Sequence, residues 1–139
     1  MQRNGIMVDN NSEGIKVFFP GGKKVEARTG NFSLMTDQPA SNGGEGSAPS
    51  PFDLFLSSLA TCAGYFIKSF LDSRELSSDG ISITQKVQWG ENGLEKILIH
   101  VEVPENFPEK YHKALIKAAN QCSVKRVLAS PPEIEVTAG

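Results

Sequence analysis

Apolar positions crowd into one stretch of this chain, Pro51 to Leu71, and fall into strand-like alternation on either side of it. Within PFDLFLSSLATCAGYFIKSFL, the residues Phe52, Leu54, Phe55, Leu56, Leu59, Ala60, Cys62, Ala63, Tyr65, Phe66, Ile67, Phe70 and Leu71 leave no wide polar face. Such a pattern predicts a helix covered nearly all round. A stretch of this length could cross a bilayer at ~1.5 Å per residue, but Asp53 and Lys68 lie inside it and serines dilute it, which marks a central core helix instead. Its start is well signalled. Ser50 offers a capping oxygen, Pro51 suits the first helical position, and Asp53 complements the helix dipole in the first turn.

Before this helix, Ile15 to Phe19 and Lys24 to Arg28 are rich in β-formers and flank Pro20-Gly21-Gly22, a hairpin pattern. A third strand is predicted over Phe32 to Met35. Alternation in the second strand puts Lys24, Glu26 and Arg28 on one face, and Val25 and Ala27 on the other. Thr36 to Ser50 has loop composition, and a loop of about fifteen residues inside a compact domain tends to serve a function. Its glycines, Gly43, Gly44 and Gly46, form no phosphate-binding pattern.

After the helix, Ile81, Ile83, Val87 and Trp89 alternate, faltering at Gln85, and Ile97, Ile99, Val101 and Val103 form a second run across Gly90-Glu91-Asn92-Gly93. An antiparallel hairpin is expected there. Pro108 opens a helix that places Tyr111, Leu115, Ala118, Ala119 and Cys122 on one face and runs to Ser130-Pro131-Pro132; Ile134 and Val136 then suggest a last short strand. The order β-β-β-α-β-β-α-β is α+β, with antiparallel strands around a buried central helix. Residues 1–13 read as an irregular arm and residues 14–139 as a single domain. Strands on one side of the helix leave its other side bare, so a C2 homodimer with the helices at its interface is expected.

The 139 residues are enough to bury roughly two thirds of the unfolded surface without staples. A net charge of −2 with no basic run argues against a nucleic acid or anionic membrane partner. The polar, Asn-rich start has no signal-peptide core, which points to the cytoplasm. His100, in a strand, and His112, on a helix next to Tyr111, lie outside the two cysteine-bearing stretches and read as structural or solvent-facing, and Trp89 as packing. No cofactor or metal is called for.

Cys62 and Cys122 stand 60 positions apart without metal-ligand spacing, so any pairing in a reducing compartment would be chemical. Their settings are distinctive. Ser50-Pro51-Phe52-Asp53-Leu54-Phe55-Leu56-Ser57-Ser58-Leu59-Ala60-Thr61-Cys62 and Cys122-Ser123-Val124-Lys125-Arg126-Val127-Leu128 resemble the two cysteine motifs of the OsmC/Ohr family, of the form Pro-x-[acidic]-Leu-Leu-x-x-x-Leu-x-x-Cys and Cys-x-Val-x-x-x-Leu. The resemblance runs from about Ile15 to Ala138, closer to the less characterised OsmC-like branch. It implies an intertwined homodimer and thiol-dependent reduction of organic hydroperoxides, with Cys62 as the peroxidatic cysteine and Cys122 as the resolving one. An external dithiol would then reset the pair.

A thiolate on Cys62 needs help, because the residue lies ~16 Å along its helix, beyond reach of the macrodipole. The resemblance implies a cation from the N-terminal strands, held by a carboxylate at the position of Asp53. Lys23 or Lys24 aligns with the family's arginine, and Arg28 shares a face with Lys24. The alternative function is a non-catalytic protein binding a small hydrophobic ligand in the dimer pocket, where some of Phe52, Phe55, Tyr65 and Phe66 would line the wall.

Overall fold

The computed structural model describes residues 14–139, so the expected arm at residues 1–13 lies outside the described residues. Two compact units divide the chain, Met1–Phe55 and Leu56–Gly139. In the first, β1 (Lys16–Gly21), β2 (Lys24–Thr29) and β3 (Phe32–Thr36) form an antiparallel meander in that order. Gly22 and Gly30 take φ of 59° and 58° in the two tight turns, a left-handed conformation that a side chain would disfavour. Pro20, which has no N–H to donate, falls where the β1–β2 register slips between Phe18 and Gly21.

The charged face of β2 is internally paired. Arg28 Nε donates to Glu26 Oε2 at 3.0 Å, Ser33 Oγ donates to the same oxygen, and the guanidinium lies 4.2 Å from the Phe18 ring centre. Lys24 Nζ reaches Glu45 at 2.8 Å, and this hydrogen bond holds the Lys24 pKa above its usual value. The opposite face is apolar and uncovered, since register places Val17, Ala27 and Leu34 in one row and both Val17 and Leu34 are exposed.

The loop after β3 is organised by Asp37, which is only 1% exposed. Its carboxylate accepts from the Ser47 hydroxyl at 2.6 Å and from the backbone N–H groups of Ser47, Gln38 and Glu45 at 3.1, 2.7 and 3.3 Å. Those donors, the Ser47 hydroxyl foremost, hold Asp37 far below the usual carboxylate range despite burial. Gly44 is required beside it, because a Cβ there would stand 2.0 Å from the Gln38 carbonyl oxygen.

Helix α1 (Pro51–Ser73) extends two residues beyond its expected end. Ser50 and Asp53 form a capping box: the Asp53 N–H donates to Ser50 Oγ at 3.2 Å and the Ser50 N–H donates to Asp53 Oδ2 at 3.0 Å. The helix is long and apolar enough to cross a membrane by length and composition. Its buried residues, however, are Leu59, Ala63, Ile67 and Leu71, a single line at i, i+4 spacing. One chain therefore supplies cover along one line only, and the other side is bare as the sequence reading foresaw: Tyr65 is 65% exposed.

In the second unit that line meets a hairpin of β4 (Ser82–Gly90) and β5 (Gly93–Glu102) and the helix α2 (His112–Ala119). Ile67, Leu71, Phe107 and Leu115 form the core, with Ile83, Val101 and Tyr111 packed against it. Gln85, where the β4 alternation falters, turns its amide to α1 and donates to the Leu56 carbonyl at 2.9 Å.

Two expectations are corrected. The helix foreseen from Pro108 to Ser130 is a single-turn 3₁₀ segment (Glu109–Tyr111), then α2, then a separate helix α3 (Ser123–Ala129). The chain breaks at Asn120, whose side-chain amide donates back to the Ile116 carbonyl at 3.2 Å, and at Cys122, which leaves the helical conformation and starts a new helix. The last strand at Ile134 and Val136 does not form, and these side chains are 84% and 90% exposed. A strand needs a neighbour for its backbone groups, and none of the described strands pairs with this segment.

Candidate functional site

Cys62 sits on the fourth turn of α1, one residue off the buried line, and is half-buried. Cys122 is buried, as its place on the apolar face of the expected helix required, but it serves as the N-cap of α3. Its sulfur accepts the Lys125 N–H at 3.3 Å, taking the position that a serine or aspartate oxygen usually holds. This cap aims the start of α3 at Cys62. The Ser123 hydroxyl comes to 3.5 Å from Cys62 Sγ, and the Val124 N–H, the Ser123 N–H and the Cys122 thiol lie near enough to lower the proton affinity of the same sulfur.

The two thiols are driven in opposite directions. Burial pushes Cys62 up, but the Val124 N–H, the Ser123 hydroxyl, the Cys122 thiol and the Ser123 N–H together outweigh it and hold the thiol below its ordinary value. Burial pushes Cys122 up, and the neighbouring Cys62 sulfur adds to that against the Lys125 N–H. The sign follows for each. Cys62 favours the fold as an anion, so its contribution is present above the ordinary thiol pKa and lost as pH falls through the lowered value. Cys122 favours the fold as a neutral thiol, and its contribution is lost as pH rises through the raised value. The arrangement thus places one anion-prone sulfur beside one proton-holding sulfur.

Asp53 lies in the first unit, where its carboxylate is engaged in the capping box, while Lys24 and Arg28 hold Glu45 and Glu26 there. The sequence reading asked for a cation at Cys62; it did not anticipate the neutral donors of residues 122–124. The available signal was the serine immediately after Cys122 in the second motif. Asp37 was also missed, although a carboxylate opening a Ser/Gly-rich loop is a recognisable turn feature.

Beside Cys122 lies a cavity of about 330 Å³, walled by aliphatic side chains including Leu59, Ala63, Ile97, Ile99, Ile116 and Leu128. His112 packs its ring 5.5 Å from that of Phe107, and His100 is exposed. Among the described residues no cluster of three His, Cys, Asp or Glu could hold a metal.

The fold recurs in crystal structures of other proteins. A Psychrobacter arcticus 273-4 protein assigned to osmotic stress induction and the detoxification response superposes with a TM-score of 0.71 at 23% identity over 90% of each chain. The OsmC-like protein of Mycoplasma pneumoniae gives 0.68 at 17% identity, covering 85% of this chain and 87% of its own. The organic hydroperoxide resistance protein OsmC of Legionella pneumophila gives 0.58 at 24%, covering 82% and 86%. At these identities the likeness is one of fold. Among curated proteins no sequence matches. The family model for OsmC-like proteins matches residues 44–137, which takes in the second half of the loop organised by Asp37, all of α1 and both cysteines. With the α+β fold and the paired cysteines already in place, that match makes this chain a member of the OsmC-like protein family.

Proposed function

We propose that the protein is a cysteine-based peroxidase that reduces organic hydroperoxides. The observation that carries this reading is the pair of free thiols lying near each other, with the proton affinity of Cys62 shifted down and that of Cys122 shifted up. The Cys62 thiolate attacks the terminal peroxide oxygen, the O–O bond breaks, and Cys62 becomes a sulfenic acid while the alkoxide takes a proton from water. Cys122 then attacks the oxidised sulfur, its proton leaves with the hydroxyl as water, and a Cys62–Cys122 disulfide results. An external dithiol returns both to thiols by exchange. The aliphatic cavity beside Cys122 suits the alkyl part of such a substrate. Asp53 supports the site by fixing the start of α1. The hydroperoxide resistance named for the Legionella protein agrees with this chemistry.

The test is direct. Reduced protein treated with one equivalent of an alkyl hydroperoxide is expected to yield a Cys62–Cys122 disulfide in peptide mass spectra; two free thiols under excess peroxide reject the enzyme. The same cavity supports the second reading, a binding protein for a small hydrophobic ligand, which a co-purified ligand and unaltered binding in Cys62→Ser would favour.

The working unit in this proposal is a cytoplasmic homodimer. Val17, Phe19, Phe32, Tyr65, Ile134 and Val136 are uncovered, and the alternation at residues 133–137 pairs with none of the described strands. A second copy would cover both. Light scattering should give twice the 15.0 kDa chain mass, and a mass of one chain at micromolar concentration would remove the dimer.

A further inference from the structure

The groups that lower the proton affinity of the Cys62 sulfur are all uncharged, and they come from one short segment, Cys122 to Val124. They are not equivalent. The two backbone N–H groups belong to the start of α3 and persist in any variant that keeps this helix. The Cys122 thiol gives up its proton when the disulfide forms. Toward a Cys62 thiolate, Ser123 Oγ, 3.5 Å from Cys62 Sγ, can only donate, and this side chain keeps its proton through the whole cycle. Its position has a local cause. Cys122 leaves the helical conformation and caps α3, so the next residue becomes the first of that helix, with its hydroxyl beside Cys62 of α1.

We propose that Ser123 is a catalytic residue whose hydroxyl activates Cys62 by donating a hydrogen bond to its sulfur, doing the work expected of a basic side chain. The proposal rests on Cys62 being the reacting sulfur, and it deepens the peroxidase reading by naming the activating group. A hydrogen bond to an anion is stronger than one to its neutral acid, so the donor favours the thiolate. The contribution of a short-range dipole also differs from that of a charge. Salt screens a partly exposed ion pair over a Debye length of ~10 Å at 0.1 M, but leaves a direct hydrogen bond nearly untouched.

The experiment measures alkylation of Cys62 by iodoacetamide, a neutral reagent, as a function of pH, with Cys122 followed separately by peptide mass spectrometry. Ser123 is exposed, so Ser123→Ala removes the donor with little packing change, and circular dichroism verifies that the helices remain. The midpoint for Cys62 should move up in Ser123→Ala, with alkylation at pH 7 slowed about fivefold. Ser123→Thr, which restores a hydroxyl, should recover most of the rate. In wild type, raising salt from ~0.05 to ~1 M should change the rate by less than about twofold. An unchanged pH profile in Ser123→Ala overturns the proposal, as does a salt dependence large enough to abolish the activation. A shifted profile in a protein that forms no disulfide with peroxide supports the Ser123 role and places the failure on the peroxidase reading alone.

Discussion

Cys62→Ser is expected to slow peroxide consumption by at least about a thousandfold, whereas Cys122→Ser should complete one turnover and stop. The difference follows from the two steps. A serine hydroxyl at position 62 has no accessible anion at neutral pH, so the O–O bond is never attacked. With serine at position 122 the first step survives, because Cys62 keeps the Val124 and Ser123 donors. The helix start survives as well, since a serine oxygen is a better N-cap than the sulfur it replaces. The product should be a sulfenic acid on Cys62, trapped by a cyclic dione and seen by mass spectrometry; under excess peroxide it should climb to sulfinic acid. Peroxide consumption by Cys62→Ser within twofold of wild type would exclude this cysteine as the reacting group.

Leu71→Ala should cost about 2–5 kcal/mol of stability, out of a total of about 5–15 kcal/mol for a domain of ordinary stability. Leu71 is 1% exposed at the end of the buried line of α1, in the cluster with Ile67, Phe107 and Leu115. Removing its three outer carbons leaves a hole that Phe107 and Leu115 must either span or collapse into. Urea titration at fixed protein concentration measures the loss, the concentration being held because a dimer gains stability by mass action. A cost below about 1 kcal/mol would show that the cluster is not a tightly packed core. Cys62 lies nine residues up the helix, ~13 Å away, so its alkylation profile should be unchanged in the variant that remains folded.

Most elements were legible in the chain. The alternation of Ile97, Ile99 and Val101, the Gly90–Gly93 turn and the Ser50-Pro51 start of α1 are written in local patterns, because strand pleat, turn and cap depend on neighbours in sequence. Three features were not legible. The division of the C-terminal helix at residues 120–122 comes from side-chain bonds to the backbone, which a helical spacing of apolar residues continues straight across. The strand at Ile134 and Val136 has the right alternation, yet pairing requires a second strand, and within this chain none of the described ones supplies it. The third is the cover of α1, for which an all-round apolar pattern specifies the demand and not the supplier.

For the site, the sequence by itself determined which two sulfurs to watch, that Cys122 faces inward, and that both belong to motifs of one family. Only the tertiary structure decided that they are neighbours, that their proton affinities diverge, and that the Ser123 hydroxyl stands beside Cys62. The physical reason is the range of the forces involved. Helix and strand patterns are set over a few residues, while the proton affinity of a sulfur depends on donors a few ångströms away, delivered here from sixty-one positions further along the chain.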